Sequence, residues 1–217
     1  MASPTPTRRM QNPAIFVCDI QEKFRPAIHN FPAVLQTTTK LLRAAQALSI
    51  PVYVTTQNRS RLGNTVSELQ PHLPSTVVRA DVDKTKFSMW LPSISQDFGG
   101  RRAQIAIVGI ESHICVTQTA LDALAAGQEV YIIADGVSSC NREEVGVALE
   151  RLRHAGCVVT TSESWIYECM GDAGLGEFKS IVQLVKDTGR DTKEALTALL
   201  GSGGGGDDTK GHAAAKM

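Results

Sequence analysis

Along most of the chain, short β-branched runs alternate with longer stretches whose apolar residues recur at helical spacing. Ala14–Asp19 is a continuous apolar run ending on a carboxylate, the pattern of a strand covered on both faces. Phe31–Leu48 carries helical spacing, and Pro51–Thr55 follows it as a second strand. Thr76–Arg79 is a weaker third strand and Gln104–Gly109 a strong fourth. His113–Ala126 reads as the next helix, closed by Gly127. Glu129–Ala134 and Cys157–Thr160 complete the strands, separated by a helical stretch over Arg142–Ala155.

This alternation predicts parallel strands joined by right-handed crossovers, hence an α/β fold. The expected architecture is a three-layer, doubly wound, mostly parallel six-stranded sheet with helices on both faces. In such sheets ligands bind beyond the carboxyl ends of the strands, where strand order reverses. Asp19, Gln57, Lys84 and Cys115 all follow predicted strand ends. From Thr188 the chain turns polar and then glycine-rich, a composition that buries too little apolar area to offset its ordering entropy. The predicted organisation is a flexible N-terminus over residues 1–12, one domain over 13–187 and a flexible tail over 188–217.

Composition narrows the partners. The 217 residues are 42% hydrophobic, enough for one domain with a buried sheet. Lysine plus arginine (22) balances aspartate plus glutamate (22), so no strong field draws in nucleic acid or a membrane surface. A small molecule is the expected partner. The five cysteines are odd in number and lack CxxC spacing, as for reduced thiols in a cytoplasmic protein. Two address features stay open beside that reading. Arg8 and Arg9, with no acid before Asn12, leave room for a mitochondrial presequence, and Ala215-Lys216-Met217 is a conservative variant of the peroxisomal tripeptide.

The chemistry sits at the strand ends. Cys115, in Gly109-Ile-Glu-Ser-His-Ile-Cys115, falls where the fourth strand gives way to a helix, and the positive end of that helix favours a thiolate. Backbone N–H groups of the same turn suit an oxyanion. A small buried hydrophobe is the commoner fate of a cysteine, and that alternative stays open for this residue taken alone. Asp19 ends an apolar strand, a desolvated place suited to a general base, although a turn or cap carboxylate would sit there too. Lys84 could hold Asp19 ionised, or be a surface charge beside Lys86. Their joint occurrence after three strands of one sheet strengthens the catalytic reading.

These residues resemble the isochorismatase-like, or cysteine hydrolase, family through Cys18-Asp-Ile-Gln-Glu-Lys-Phe24, Lys84-Thr-Lys-Phe-Ser-Met89 and the Cys115 block. The likeness runs from about Pro13 to Lys186, and Thr55 to Leu69 is similar to eukaryotic isochorismatase domain-containing proteins. The resemblance implies a triad of Asp19, Lys84 and Cys115, a cis peptide between Ile110 and Glu111, and an oxyanion hole from the Glu111 and Cys115 N–H groups. It also implies a homo-oligomer, a dimer or tetramer. Nicotinamidases of the family carry an aspartate and histidines after strand two for a metal, whereas this segment offers Gln57, Asn58 and Arg59, with only His72 nearby. No metal and no cofactor are therefore expected, and an amide or ureide C–N bond is the expected target.

Phe24, Gln57, Phe87, Trp90 and His113 belong to loops around the triad and are candidate pocket residues, with plain packing equally open for Phe87 and Trp90. His113 reads as a rim residue rather than a base, because Asp19 already fills that role. Asp135 reads as a cap and turn group. Two rivals stand beside the enzyme: a catalytically silent binding module of the same fold, and a dinucleotide-binding oxidoreductase, which lacks GxGxxG after the first strand.

Overall fold

Alternate residues of each apolar strand point to opposite faces, so a strand apolar throughout must be buried on both. Ala14, Phe16 and Cys18 enter one hydrophobic cluster while Ile15 and Val17 enter another, and the sheet between them is the middle of three layers. The structure, a computed structural model, describes residues 7–201. Its strands are β1 Pro13–Cys18, β2 Val52–Gln57, β3 Val78–Lys84, β4 Gln104–Ile110, β5 Glu129–Ser138 and β6 Val158–Thr160. They form one sheet of order β3-β2-β1-β4-β5-β6, with every pairing parallel. The helices are α1 Phe31–Leu48, α2 Arg59–Leu62, α3 Pro92–Ser95, α4 Thr117–Ala125, α5 Arg142–His154, α6 Ser162–Met170, α7 Phe178–Asp187 and α8 Gly189–Leu200. Residues of α1, α6 and α7 pack into one cluster, and residues of α3, α4 and α5 into the other. Strand order reverses between the adjacent β1 and β4, so the crevice at their carboxyl ends is where this topology places a ligand.

Several expectations need correction. The third strand was expected over Thr76–Arg79 and instead spans Val78–Lys84, because at the sheet edge Arg79, Asp81 and Asp83 point outward between half-buried partners and mask the apolar signal. The strand expected to stop at Ala134 continues through Asp135 and Gly136 to Ser138. At Gly136 a side chain would press on Val108 and Thr37, so the missing Cβ is what lets the strand pass. Asp135 is a cap without being a turn: it accepts hydrogen bonds from the N–H (2.7 Å) and hydroxyl (2.6 Å) of Ser162 at the start of α6.

The tail boundary also moves. Residues from Thr188 were expected to be flexible, but α8 packs on α1 and β5, with Ala195 fully buried. The Lys40 ammonium donates to Thr192 at 3.0 Å and the Asn30 amide to the Ala198 carbonyl at 2.9 Å. A few small and apolar residues spaced helically were enough. At the other end, residues 1–12 were expected to be flexible, whereas Met10 is buried against Cys169 and Arg8 pairs with Glu177. Residues 1–6, the glycine-rich segment from Ser202 and the Ala215-Lys216-Met217 tripeptide lie outside the described residues. Ending the chain after Asp187 should lower its melting temperature by more than about 4 °C, corresponding to a loss of about 2 kcal/mol. Ending it after Gly201 should leave the melting temperature within about 2 °C. Calorimetry of the two truncations separates a packed helix from an appendage.

Candidate active site

The site is assembled from the carboxyl ends of β1, β3 and β4. β1 runs into Asp19, which adopts a left-handed conformation (φ 52°) that turns the chain out of the sheet and leaves its carboxylate at the crevice. Beside it, Gly109 of β4 has φ 119°, and a side chain there would collide with the backbone of Cys18. Only glycine lets β1 and β4 approach this closely under the site.

The Asp19 carboxylate is fully engaged. One oxygen accepts from the Thr55 hydroxyl at 2.8 Å and the other from the Lys84 ammonium at 2.7 Å. Both side chains of the Lys84–Asp19 pair are 1% exposed, so neither charge is relieved by water. Lys84 places its remaining donors on the Gln57 side-chain oxygen (2.8 Å) and the Phe87 carbonyl (2.9 Å), which exhausts its three N–H bonds. Burial alone would lower the Lys84 pKa, but the acidic groups packed around it, Cys18, Asp19 and Cys115, together with the hydrogen bond to Asp19, outweigh burial and raise the ammonium above its ordinary value. Gln57 is itself clamped, its N–H donating to Gln21 (2.7 Å) and its amide to the Thr85 carbonyl (2.9 Å).

Cys115 lies buried in the π turn Ser112–Val116 that joins β4 to α4, where an unbroken helix from His113 was expected. The extra residue in such a turn re-aims the side chains it carries, and π turns recur at functional sites. The Cys18 thiol contacts Cys115 and sits 3.6 Å from Asp19. Burial and then these neighbours push Cys18 well above the usual thiol range, so it stays protonated. The Ile110–Glu111 peptide bond is cis. No hydrogen bond from the Glu111 N–H is formed among the described residues, while its carboxylate accepts from the Cys140 N–H at 2.8 Å.

A cavity of about 210 Å³ opens here, lined by Asp19, Gln57, Glu111 and Cys115 together with the apolar residues Phe24, Leu62, Phe87, Ile110 and Ile114. It thus brings together Asp19, Glu111, Cys115, Phe24, Gln57 and Phe87, with Lys84 directly behind Asp19 and Gln57. Trp90 and His113, expected in the pocket, are not part of its lining. Trp90 packs into an aromatic cluster with Phe16 and Phe98, and His113 turns to Ser139, with Nδ1 2.9 Å from its hydroxyl. An aromatic or histidine near a motif in sequence does not reveal which side of the turn it faces. Leu62, Ile110 and Ile114 went unassigned in the sequence although the motif blocks contain them, because an apolar residue in a block carries no chemical signal of its own.

The residues after β2 do not fit a metal. Asn58 accepts from Ser60, and Arg59 pairs with Asp81, which places a cation where a ligand set would be needed. His72 lies on a separate 3-10 turn, its pKa lowered by burial and by Arg43. Among the described residues no three His, Cys, Asp or Glu side chains gather in an arrangement that could hold an ion.

Known proteins place this architecture. A secreted isochorismatase effector, Isc1, of Phytophthora sojae is 42% identical over 80% of this chain and 84% of its own length. Isochorismatase domain-containing protein 2 of Homo sapiens is 36% identical over 82% of this chain and 85% of the relative. Among solved structures, the MAR1 ribonuclease of Caenorhabditis elegans superposes with a TM-score of 0.78 at 37% identity, covering 84% of this chain and 93% of the other. The Escherichia coli YcaC protein, described as an octameric hydrolase of unknown specificity, shares the fold with a TM-score of 0.73 at 18% identity, over 91% of this chain and 97% of that one. With residues 13–164 matching the isochorismatase domain and relatives of this similarity over most of its length, the chain belongs to the isochorismatase family of hydrolases.

Proposed function

We propose that the protein is a hydrolase with Cys115 as nucleophile, acting on an amide or ureide-type C–N bond of a small metabolite. The observation that carries this reading is the buried Lys84–Asp19 pair, 2.7 Å apart, at the wall of a cavity that Cys115 also lines. A fully desolvated ion pair is an expensive way to hold three strand ends together, and apolar side chains would stabilise the fold as well or better. Its retention beside a thiol in a cavity is explained by chemistry.

Asp19 accepts the thiol proton of Cys115, and the thiolate adds to the substrate carbonyl carbon. In this reading the Glu111 and Cys115 N–H groups hold the oxyanion, and the Glu111 N–H, which makes no hydrogen bond among the described residues, is available for it. As the tetrahedral adduct collapses, the C–N bond breaks and Asp19 returns the proton to the departing nitrogen, leaving a thioester on Cys115. Water, deprotonated by Asp19, then cleaves the thioester and restores the thiol. Lys84 does not touch substrate; it fixes the Asp19 carboxylate, with Gln57 and the Phe87 carbonyl fixing Lys84 in turn.

The test is a screen of amide, ureide and ester metabolites read by intact mass. Turnover with a transient acyl adduct mapping to Cys115 is expected. Tight binding of a metabolite without turnover or adduct would favour the silent binding module, and turnover with an adduct at another residue would overturn the assignment.

A further inference from the structure

The triad accounts for the four polar residues of the cavity or their neighbours, but not for what the other five do. Phe24, Leu62, Phe87, Ile110 and Ile114 make up the rest of the lining. Every nearby cation is already committed or stands outside. Lys84 gives its three donors to Asp19, Gln57 and Phe87. Arg59 pairs with Asp81 and Lys86 with Asp122, while Lys23 and Arg61 are exposed and do not line the cavity. Asp19 and Lys84 cancel formally, and the Glu111 carboxylate, turned to the Cys140 N–H, offers the cavity no positive charge either. An anionic substrate entering this space would lose its hydration and meet the Asp19 carboxylate, with no free ammonium or guanidinium to receive it.

From this lining we infer that the site selects a small, uncharged substrate whose acyl part is apolar, and that Leu62 and Phe87 are the residues that set this preference. The inference rests on Cys115 being the nucleophile. The volume of about 210 Å³ lies below the roughly 300–1,000 Å³ of pockets that take drug-sized ligands, which limits the acyl part to a few carbons or one small ring. Phe87 is 55% exposed yet lines the cavity, so its ring stands where the cavity meets solvent and any entering group passes it. Leu62, half-buried on α2, faces the same space. Dicarboxylates and phosphorylated compounds are disfavoured by the same electrostatics, whatever their size.

Iodoacetamide and iodoacetate test the inference, since they have nearly the same size and differ in charge. In each case the Cys115 thiol first gives its proton to buffer, and the thiolate then displaces iodide to form a thioether. Rates at Cys115 are read by peptide mass mapping, and each is divided by the rate of the same reagent with a free cysteine peptide. The neutral reagent should be favoured at Cys115 by at least about tenfold over its preference at the free thiol. Leu62→Arg should raise iodoacetate labelling and bring that ratio most of the way to the free-thiol value. Phe87→Arg, at an exposed position that any side chain tolerates, should do the same in part. Equal normalised rates in the native protein, or a ratio unmoved in both folded variants, would overturn the charge selection while leaving Cys115 as nucleophile. Labelling of exposed Cys140 by both reagents with none at Cys115 would overturn the nucleophile itself, and the inference with it.

Discussion

Cys115→Ala is expected to lower turnover by at least about 10³-fold while the folded protein and its melting temperature stay close to native. The size of the loss follows from the mechanism: without the sulfur no thioester forms, and what remains is whatever the oxyanion donors and proximity achieve with water. The stability should hold because alanine removes one atom from a wall that already borders a cavity, leaving little new void. The other thiols provide the control. Cys140→Ser alters an exposed position, and Cys157→Ala and Cys169→Ala empty buried sites outside the cavity lining, so each should retain activity within a few-fold. Cys18→Ala is the sharper control, because Cys18 contacts Cys115 and sits beside Asp19. Its pKa, pushed well above the usual thiol range by burial first, makes it a spectator at neutral pH, and activity should fall less than about tenfold. Kinetics of the five variants on any substrate from the metabolite screen decide the matter. Near-native turnover by Cys115→Ala would sink the assignment.

What the sequence revealed about this site follows a physical division. Strands β1, β4 and β5 as far as Ala134 are apolar on both faces, so their burial is legible in composition, and the crevice between β1 and β4 follows from their place in a parallel sheet. Asp19, Lys84 and Cys115 were legible because charged or nucleophilic groups at strand ends stand out against apolar runs. β3 was misplaced because an edge strand needs only one covered face, and its alternation of Arg79, Asp81 and Asp83 with half-buried neighbours masks the apolar signal. The π turn at Ser112–Val116 has no compositional mark, since a one-residue excess in a helical turn is set by how β4 meets α4 rather than by residue type. Trp90 and His113 were assigned to the pocket by proximity in sequence, and a turn of backbone sends one into an aromatic cluster and the other to Ser139. α8 escaped because the search stopped where composition turned polar, although Ala195 needs only a small footprint on the sheet face to hold the helix.

Lys84→Ala should destabilise the fold by about 3–5 kcal/mol and remove nearly all turnover, and the two losses can be separated. Without the ammonium, the Asp19 carboxylate is left at 1% exposure with only the Thr55 hydroxyl and the Cys18 thiol as close partners. The destabilisation therefore arises from the abandoned charge, not from a lost attraction, and removing that charge should reverse it. Asp19→Asn combined with Lys84→Met replaces the pair by neutral groups of similar volume, and its stability should return to within about 1–2 kcal/mol of native, with activity still absent. The pH dependence follows from the raised Lys84 pKa. A group whose pKa is higher folded than unfolded contributes stability that is complete below its unfolded value, about 10.4 for lysine, and that fades as pH climbs through the folded value. The native protein should accordingly hold this contribution at neutral pH and lose it only in the alkaline range, a loss that the double variant should lack. Urea unfolding at neutral and alkaline pH for the native, Lys84→Ala and double variants measures all of this at constant m-value. Native-like stability of Lys84→Ala would mean that the pair is not desolvated. Recovery of activity in the double variant would remove Asp19 and Lys84 from the chemistry and leave Cys115 to act without them.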